Sequence, residues 1–165
     1  LRFLRIAKLQ KHQTILVYGA SGSVGTYAVQ LAKSFGAEVV GVCSTKNVDM
    51  VLSLGADKVI DYTKEDFLKG PEAYDVIFDA VGKTSQSSCK PSLKEGGVYL
   101  NVLKSSGGLK LKVEELIFLQ RLFEKGEIKS VIDKRFSLDQ IVEAHRYVDR
   151  GHKKGNVIIS VGAET

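Results

Sequence analysis

The chain has 165 residues, 44% of them hydrophobic and 26% charged, with only two prolines. These totals fit one domain with a real apolar core, and they exclude a low-complexity, collagen-like or disulfide-stapled chain. The net charge of +5 is scattered along the sequence rather than clustered, so no nucleic-acid partner is expected, and charges interrupt every apolar run before it reaches membrane length.

In chain order, residues 2–11 read as a basic amphipathic helix, and Thr14 to Tyr18 as a strand that is apolar on both faces. Val24, Ala28, Leu31, Ala32 and Phe35 recur at helical spacing, with Gly36 as the stop. Val39 to Cys43 is the second strand, 49–54 a short helix, and Lys58 to Asp61 a weak third strand. Tyr74 to Ala80 gives a fourth strand, 85–93 a helix, Gly97 to Leu103 a fifth strand, and Val113 to Lys125 a helix. Ser137 to Gln140 is a capping-box start for a helix reaching about Asp149, and Asn156 to Val161 a last strand. This alternation predicts an α/β chain, a doubly wound parallel sheet between two helical layers. Cys43 and Cys89 are isolated and read as reduced, buried thiols. With no signal peptide in view, the expected location is cytoplasmic. The first residue is Leu1, not Met, so the sequence is expected to begin inside a longer polypeptide.

Ala20-Ser-Gly22-Ser23-Val24-Gly25 lies directly between a strand and a helix. In that setting Ala20 permits a tight turn, Gly22 lets backbone approach a pyrophosphate, and Gly25 lets the helix pack on the strand. The helix N-terminus adds free N–H donors suited to phosphate. A unit specific for NAD ends its second strand in an acid that accepts from the ribose hydroxyls. Here the strand runs into Ser44-Thr45-Lys46, which suits the 2'-phosphate of NADP; a plain solvated lysine is the competing interpretation.

Several stretches, among them YGASGSVGTYAVQLAKSFGAEVVGV, LGADKVIDY, YDVIFDAVG and LKEGGVYLNV, follow one another with a familiar spacing. Together they resemble the cofactor-binding Rossmann domain of the medium-chain dehydrogenase/reductase superfamily, in its zinc-independent quinone oxidoreductase branch. That resemblance implies that Ser23 and Val24 offer amides to the pyrophosphate. It also implies that Ser44, Lys46 and Tyr62 surround the 2'-phosphate, that Val81 passes the adenosine side, and that Asn101 lies toward the nicotinamide. It further implies an NADPH-dependent oxidoreductase acting on a small quinone, enone or carbonyl substrate. The residues that shape the substrate pocket, and any catalytic zinc ligands, would lie largely in a GroES-like catalytic domain preceding this unit, on which residues 150–165 would pack; no catalytic residue is assigned within this chain, and zinc is not expected in it.

Between the fifth strand and the helix at Val113 the family has a further helix and strand, whereas only residues 103–112, including Ser105-Ser-Gly-Gly108, fill that space here. That edge commonly carries the family's dimer contact, which leaves a homodimer open. The other functional class is a non-catalytic NADPH-binding sensor or interaction module. A short-chain dehydrogenase is excluded because none of the six tyrosines has Lys four residues on. His12, His145 and His152 are too dispersed to ligate a metal together, and no nucleophile elbow is present.

Overall fold

Strand β1 (Thr14–Tyr18) is the centre of a five-stranded parallel sheet in the computed structural model, which describes residues 1–105 and 112–162. Its neighbours are β2 (Glu38–Cys43) and β4 (Tyr74–Asp79), flanked by β3 (Lys58–Asp61) and β5 (Leu93–Asn101), giving the order β3-β2-β1-β4-β5. The strands are apolar on both faces because helices cover both. Ile15 and Val17 point into one core with Val39, Val76 and Phe78, while Leu16 points into the other with Val40, Val42 and Ile77. Each fully buried Val, Leu or Ile contributes roughly 1.5 to 3 kcal/mol.

The first core is the deeper. Helices α1 (Arg2–Ile6), α2 (Ser23–Ser34), α3 (Val48–Ser53) and α5 (Val113–Glu124) supply Leu4, Val29, Val51 and Leu122 to it. The second face is covered more thinly, by α4 (Gln86–Cys89) through Cys89 and by Phe67 and Leu68 of the turn after β3. This is the doubly wound, three-layer Rossmann arrangement read from the sequence.

Three boundaries differ. The first helix stops at Ile6 because Lys8 and His12 adopt left-handed backbone, with φ of 52° and 68°, which no helix can continue. The helix expected over 85–93 shrinks to α4 and a 3-10 turn, and β5 starts at Leu93 rather than Gly97. Beyond β5 no further strand joins the sheet among the described residues, and Ser106 to Leu111, where the shortened connection was noted, lie outside them.

One element was not expected at all. Strand β6 (Ile132–Ser137) pairs in parallel with β7 (Asn156–Ser160) as a separate two-stranded sheet, linked by a 3-10 turn and α6 (Ile141–Asp149). Asn156 and Gly155 return to the main body, donating their N–H groups to Val131 O and Ser21 O at 2.8 Å each. No helix among the described residues is long and apolar enough to cross a membrane.

Candidate functional site

Four residues, Gly19 to Gly22, reverse the chain between β1 and α2. Gly19 carries a φ of +80°, and a Cβ there would sit 2.4 Å from Val81 Cγ2. The tight-turn role assigned to Ala20 therefore belongs to Gly19; Ala20 is fully buried, with its N–H donating to Val42 O at 3.0 Å. A Cβ on Gly25 would meet Gly19 O at 2.0 Å, so only glycine lets the helix start this close to the strand. Gly22 is different, because its Cβ would touch only Gly19 O at an ordinary 3.5 Å. The protein leaves room there on the side that faces a cleft.

That cleft, about 460 Å³, opens at the carboxyl ends of β1, β2 and β4, where an open parallel sheet binds its ligands. Among the residues singled out in the sequence, it brings together Gly22, Ser44, Lys46, Tyr62 and Val81. Lys46, Lys83, His152 and Lys153 also face it, and no carboxylate is among its lining residues. Ala20 and Gly25 lie behind the turn. Val24 is 41% exposed and borders a separate apolar pocket beside Phe3 and Tyr27.

Asn101 is not on the cleft wall. It is buried at the end of β5, where its Nδ2 donates to Asp79 Oδ2 at 3.3 Å and Tyr99 OH at 3.1 Å. Its Oδ1 accepts from the N–H of Leu103 at 2.9 Å. The hub of this network is Asp79, fully buried at the end of β4. Its carboxylate accepts from the N–H groups of Val81, Gly82 and Thr84 at 2.9, 2.7 and 2.8 Å and from Thr84 Oγ1 at 2.7 Å. Burial alone would raise its pKa, yet these hydrogen bonds to Thr84, Gly82 and Val81 outweigh it and hold the group below the usual carboxylate range. The charge thus fixes the loop that carries Val81 and Lys83 against the cleft.

Two side chains that sequence reasoning missed tie the cleft together. Asn47 donates through Nδ2 to Ser21 Oγ and Ser44 Oγ, each at 3.2 Å, joining the glycine turn to the end of β2. Lys153 reaches back from the segment before β7, and its Nζ donates to Ser23 Oγ at 2.5 Å and Gly155 O at 2.8 Å. Burial lowers the pKa of this amine, partly offset by Asp133. Lys153 Nζ thus stands at the mouth of α2, one hydrogen bond from the first helical residue, where N–H groups lack intrahelical acceptors. No local signal marks a contact between residues 130 positions apart. Cys43, also on the wall, is pushed up to about 11 by burial and by Asp61, so it stays a thiol.

The profile of the zinc-binding dehydrogenase family matches residues 23–126, and a second profile of the same description matches residues 104–159. The chain belongs to this zinc-binding dehydrogenase family. It is 39% identical to the 2-methylene-furan-3-one reductase of Solanum lycopersicum, over 94% of this chain and 42% of that protein. It is 36% identical to the chloroplastic NADPH-dependent alkenal/one oxidoreductase of Arabidopsis thaliana, over 89% of this chain and 40% of that protein. The quinone oxidoreductase structure from Coxiella burnetii superposes with a TM-score of 0.80 at 25% identity, covering 98% of this chain and 56% of that one. The chain therefore spans about half the length of the proteins it matches, and its fold is that of the cofactor-binding half of medium-chain dehydrogenase/reductases. Despite the family's description, no group of three or more His, Cys, Asp or Glu among the described residues could hold a metal ion, so these residues do not fit a zinc site.

Proposed function

We propose that this zinc-binding dehydrogenase domain binds NADPH in the cleft at the ends of β1, β2 and β4, as the cofactor half of an oxidoreductase acting on a quinone, enone or carbonyl. The observation that carries the proposal is the charge of the cleft: Lys46, Lys83 and Lys153 face it without a single lining carboxylate. A ligand with a pyrophosphate and a third phosphate matches that wall, and NADPH is such a ligand. The tomato reductase and the Arabidopsis oxidoreductase, the latter NADPH-dependent, support the same reading.

Each residue then has a task. Ser44 and Lys46 at the end of β2, with Tyr62 opposite, take the 2'-phosphate. The turn around Gly22 and the first amides of α2, at Ser23 and Val24, take the pyrophosphate, with the Lys153 amine beside them. Asp79 does not touch the ligand; it holds the Val81 loop along the adenosine side. The nicotinamide, when bound, would supply the hydride. The exposed Leu138 and Val142 near α6 and the half-buried strands β6 and β7 face the catalytic half that completes the enzyme.

The test is turnover by the natural polypeptide that carries this sequence. Loss of the reduced-nicotinamide absorbance is followed with a quinone and with an enone, using NADPH and then NADH. Consumption of NADPH in preference to NADH is the expected result. Binding of NADPH without turnover of any such acceptor would instead make the domain a dinucleotide-sensing module.

A further inference from the structure

Strands β2 and β3 end side by side, with Cys43 and Asp61 in register. Past them the chain makes two turns along one edge of the cleft. The first, Thr45–Asn47, carries Lys46; the second, after Asp61, carries Tyr62. The Asp61 carboxylate joins the two. Its Oδ2 accepts from Thr45 Oγ1 at 2.5 Å, and its Oδ1 accepts from Thr63 Oγ1 at 2.7 Å and Thr63 N–H at 3.0 Å. The two threonine hydroxyls lie 3.1 Å apart, and Lys64 Nζ approaches the carboxylate from outside at 3.5 Å.

An acid at this edge is at first sight the wrong charge, because a 2'-phosphate nearby would repel it. The geometry removes the conflict: both oxygens are occupied by donors and Asp61 is not among the residues that line the cleft. The hydrogen bonds from Thr45 and Thr63 hold its carboxyl down to about 2, so it remains a fixed acceptor at neutral pH.

We propose that Asp61 is a positioning residue for dinucleotide selectivity: by fastening the Thr45 turn to the Thr63 turn it sets the gap between Lys46 and Tyr62 that admits the 2'-phosphate. This rests on the NADPH reading above. It has a counter-intuitive sign. If Asp61 acted only as a nearby negative charge, removing it would tighten NADPH; as a fastener, its removal loosens NADPH and leaves NADH alone.

The experiment titrates the wild-type chain and the Asp61→Ala, Asp61→Asn and Thr45→Val variants with NADPH and with NADH. Asp61→Ala and Thr45→Val should each lower the NADPH-over-NADH preference by at least about fivefold, the effect of one ordinary hydrogen bond, with NADH affinity held within about twofold. Asp61→Asn, whose amide can still bridge the two threonines, should keep most of the preference. Thr45→Val leaves the carboxylate and its Thr63 contacts in place, so it reports on positioning even if Asp61→Ala folds poorly. Tighter NADPH binding by Asp61→Ala, an unchanged preference in both variants, or a parallel loss for both dinucleotides overturns the inference alone. A wild-type chain without NADPH preference overturns the NADPH reading, and the inference falls with it.

Discussion

In the five-stranded sheet Ile15, Leu16 and Val17 are fully shielded from solvent, whereas every residue of β7 is only half-buried and β6 exposes Lys134, Arg135 and Ser137. Both sheets are parallel, but the first closes its own core on two faces and the second leaves apolar surface open at Leu138, Val142 and Val161. Core burial and contacts to the cleft are divided between the two. The larger sheet carries the fold and the glycine turn, while the smaller unit reaches that turn through Lys153 and Gly155 and completes the charge of the cleft.

The largest effect should come from emptying the main core. Phe78→Ala removes a ring that is 1% exposed and packs 5.0 Å from that of Phe3, and should cost about 3 to 5 kcal/mol in chemical denaturation. Asp79→Ala should follow at about 2 to 3 kcal/mol, because it strands the buried donors of the Val81 loop. The same chemistry predicts an acid limit. Asp79 and Asp61 have folded pKa values below the unfolded carboxylate value, so their stabilisation is complete above it and lost as protons bind the folded state. Unfolding followed against pH should therefore accelerate below about pH 4, the unfolded aspartate range, and continue toward the Asp61 value of about 2.

In the smaller unit the effects should move from stability to binding. Lys153→Met should weaken NADPH and NADH together by roughly tenfold or more, the worth of one charge-assisted contact to the shared pyrophosphate, as read by calorimetry. Phe136→Ala, which uncovers only a half-buried ring of β6 against Tyr147, should cost about 1 kcal/mol in the same denaturation assay that registers Phe78→Ala. Equal losses for the two phenylalanines would erase the distinction between the sheets.

What was legible in the sequence follows the same division. Strands buried on both faces must be apolar at nearly every position, so TILVY and VVGVC announced themselves, the second lacking only the exposed Glu38 that opens β2. IDKRFS did not, since a half-exposed strand with Asp133, Lys134 and Arg135 in succession shows no apolar run. The glycine spacing located the turn, but the sharpest bend falls at Gly19 and not Ala20, because backbone φ is not written in residue size. Asn101 was recognisable as a strand end, yet its amide is turned inward by Asp79 and Tyr99, which only the folded register could reveal. Lys46, read from the end of the second strand, and Tyr62, implied by the family resemblance, line one cleft; Lys153 joins them from a distant segment.

Selection of NADPH through its 2'-phosphate is the property on which the proposed function stands. Its most direct measurement is a calorimetric titration of this chain with NADPH and then NADH, repeated on Lys46→Ala. Roughly tenfold or greater preference for NADPH is expected in the wild type, the worth of one charge-assisted hydrogen bond, with loss of that preference in Lys46→Ala and NADH unchanged. Equal affinity for the two dinucleotides in the wild type, or a preference that survives Lys46→Ala, would contradict it.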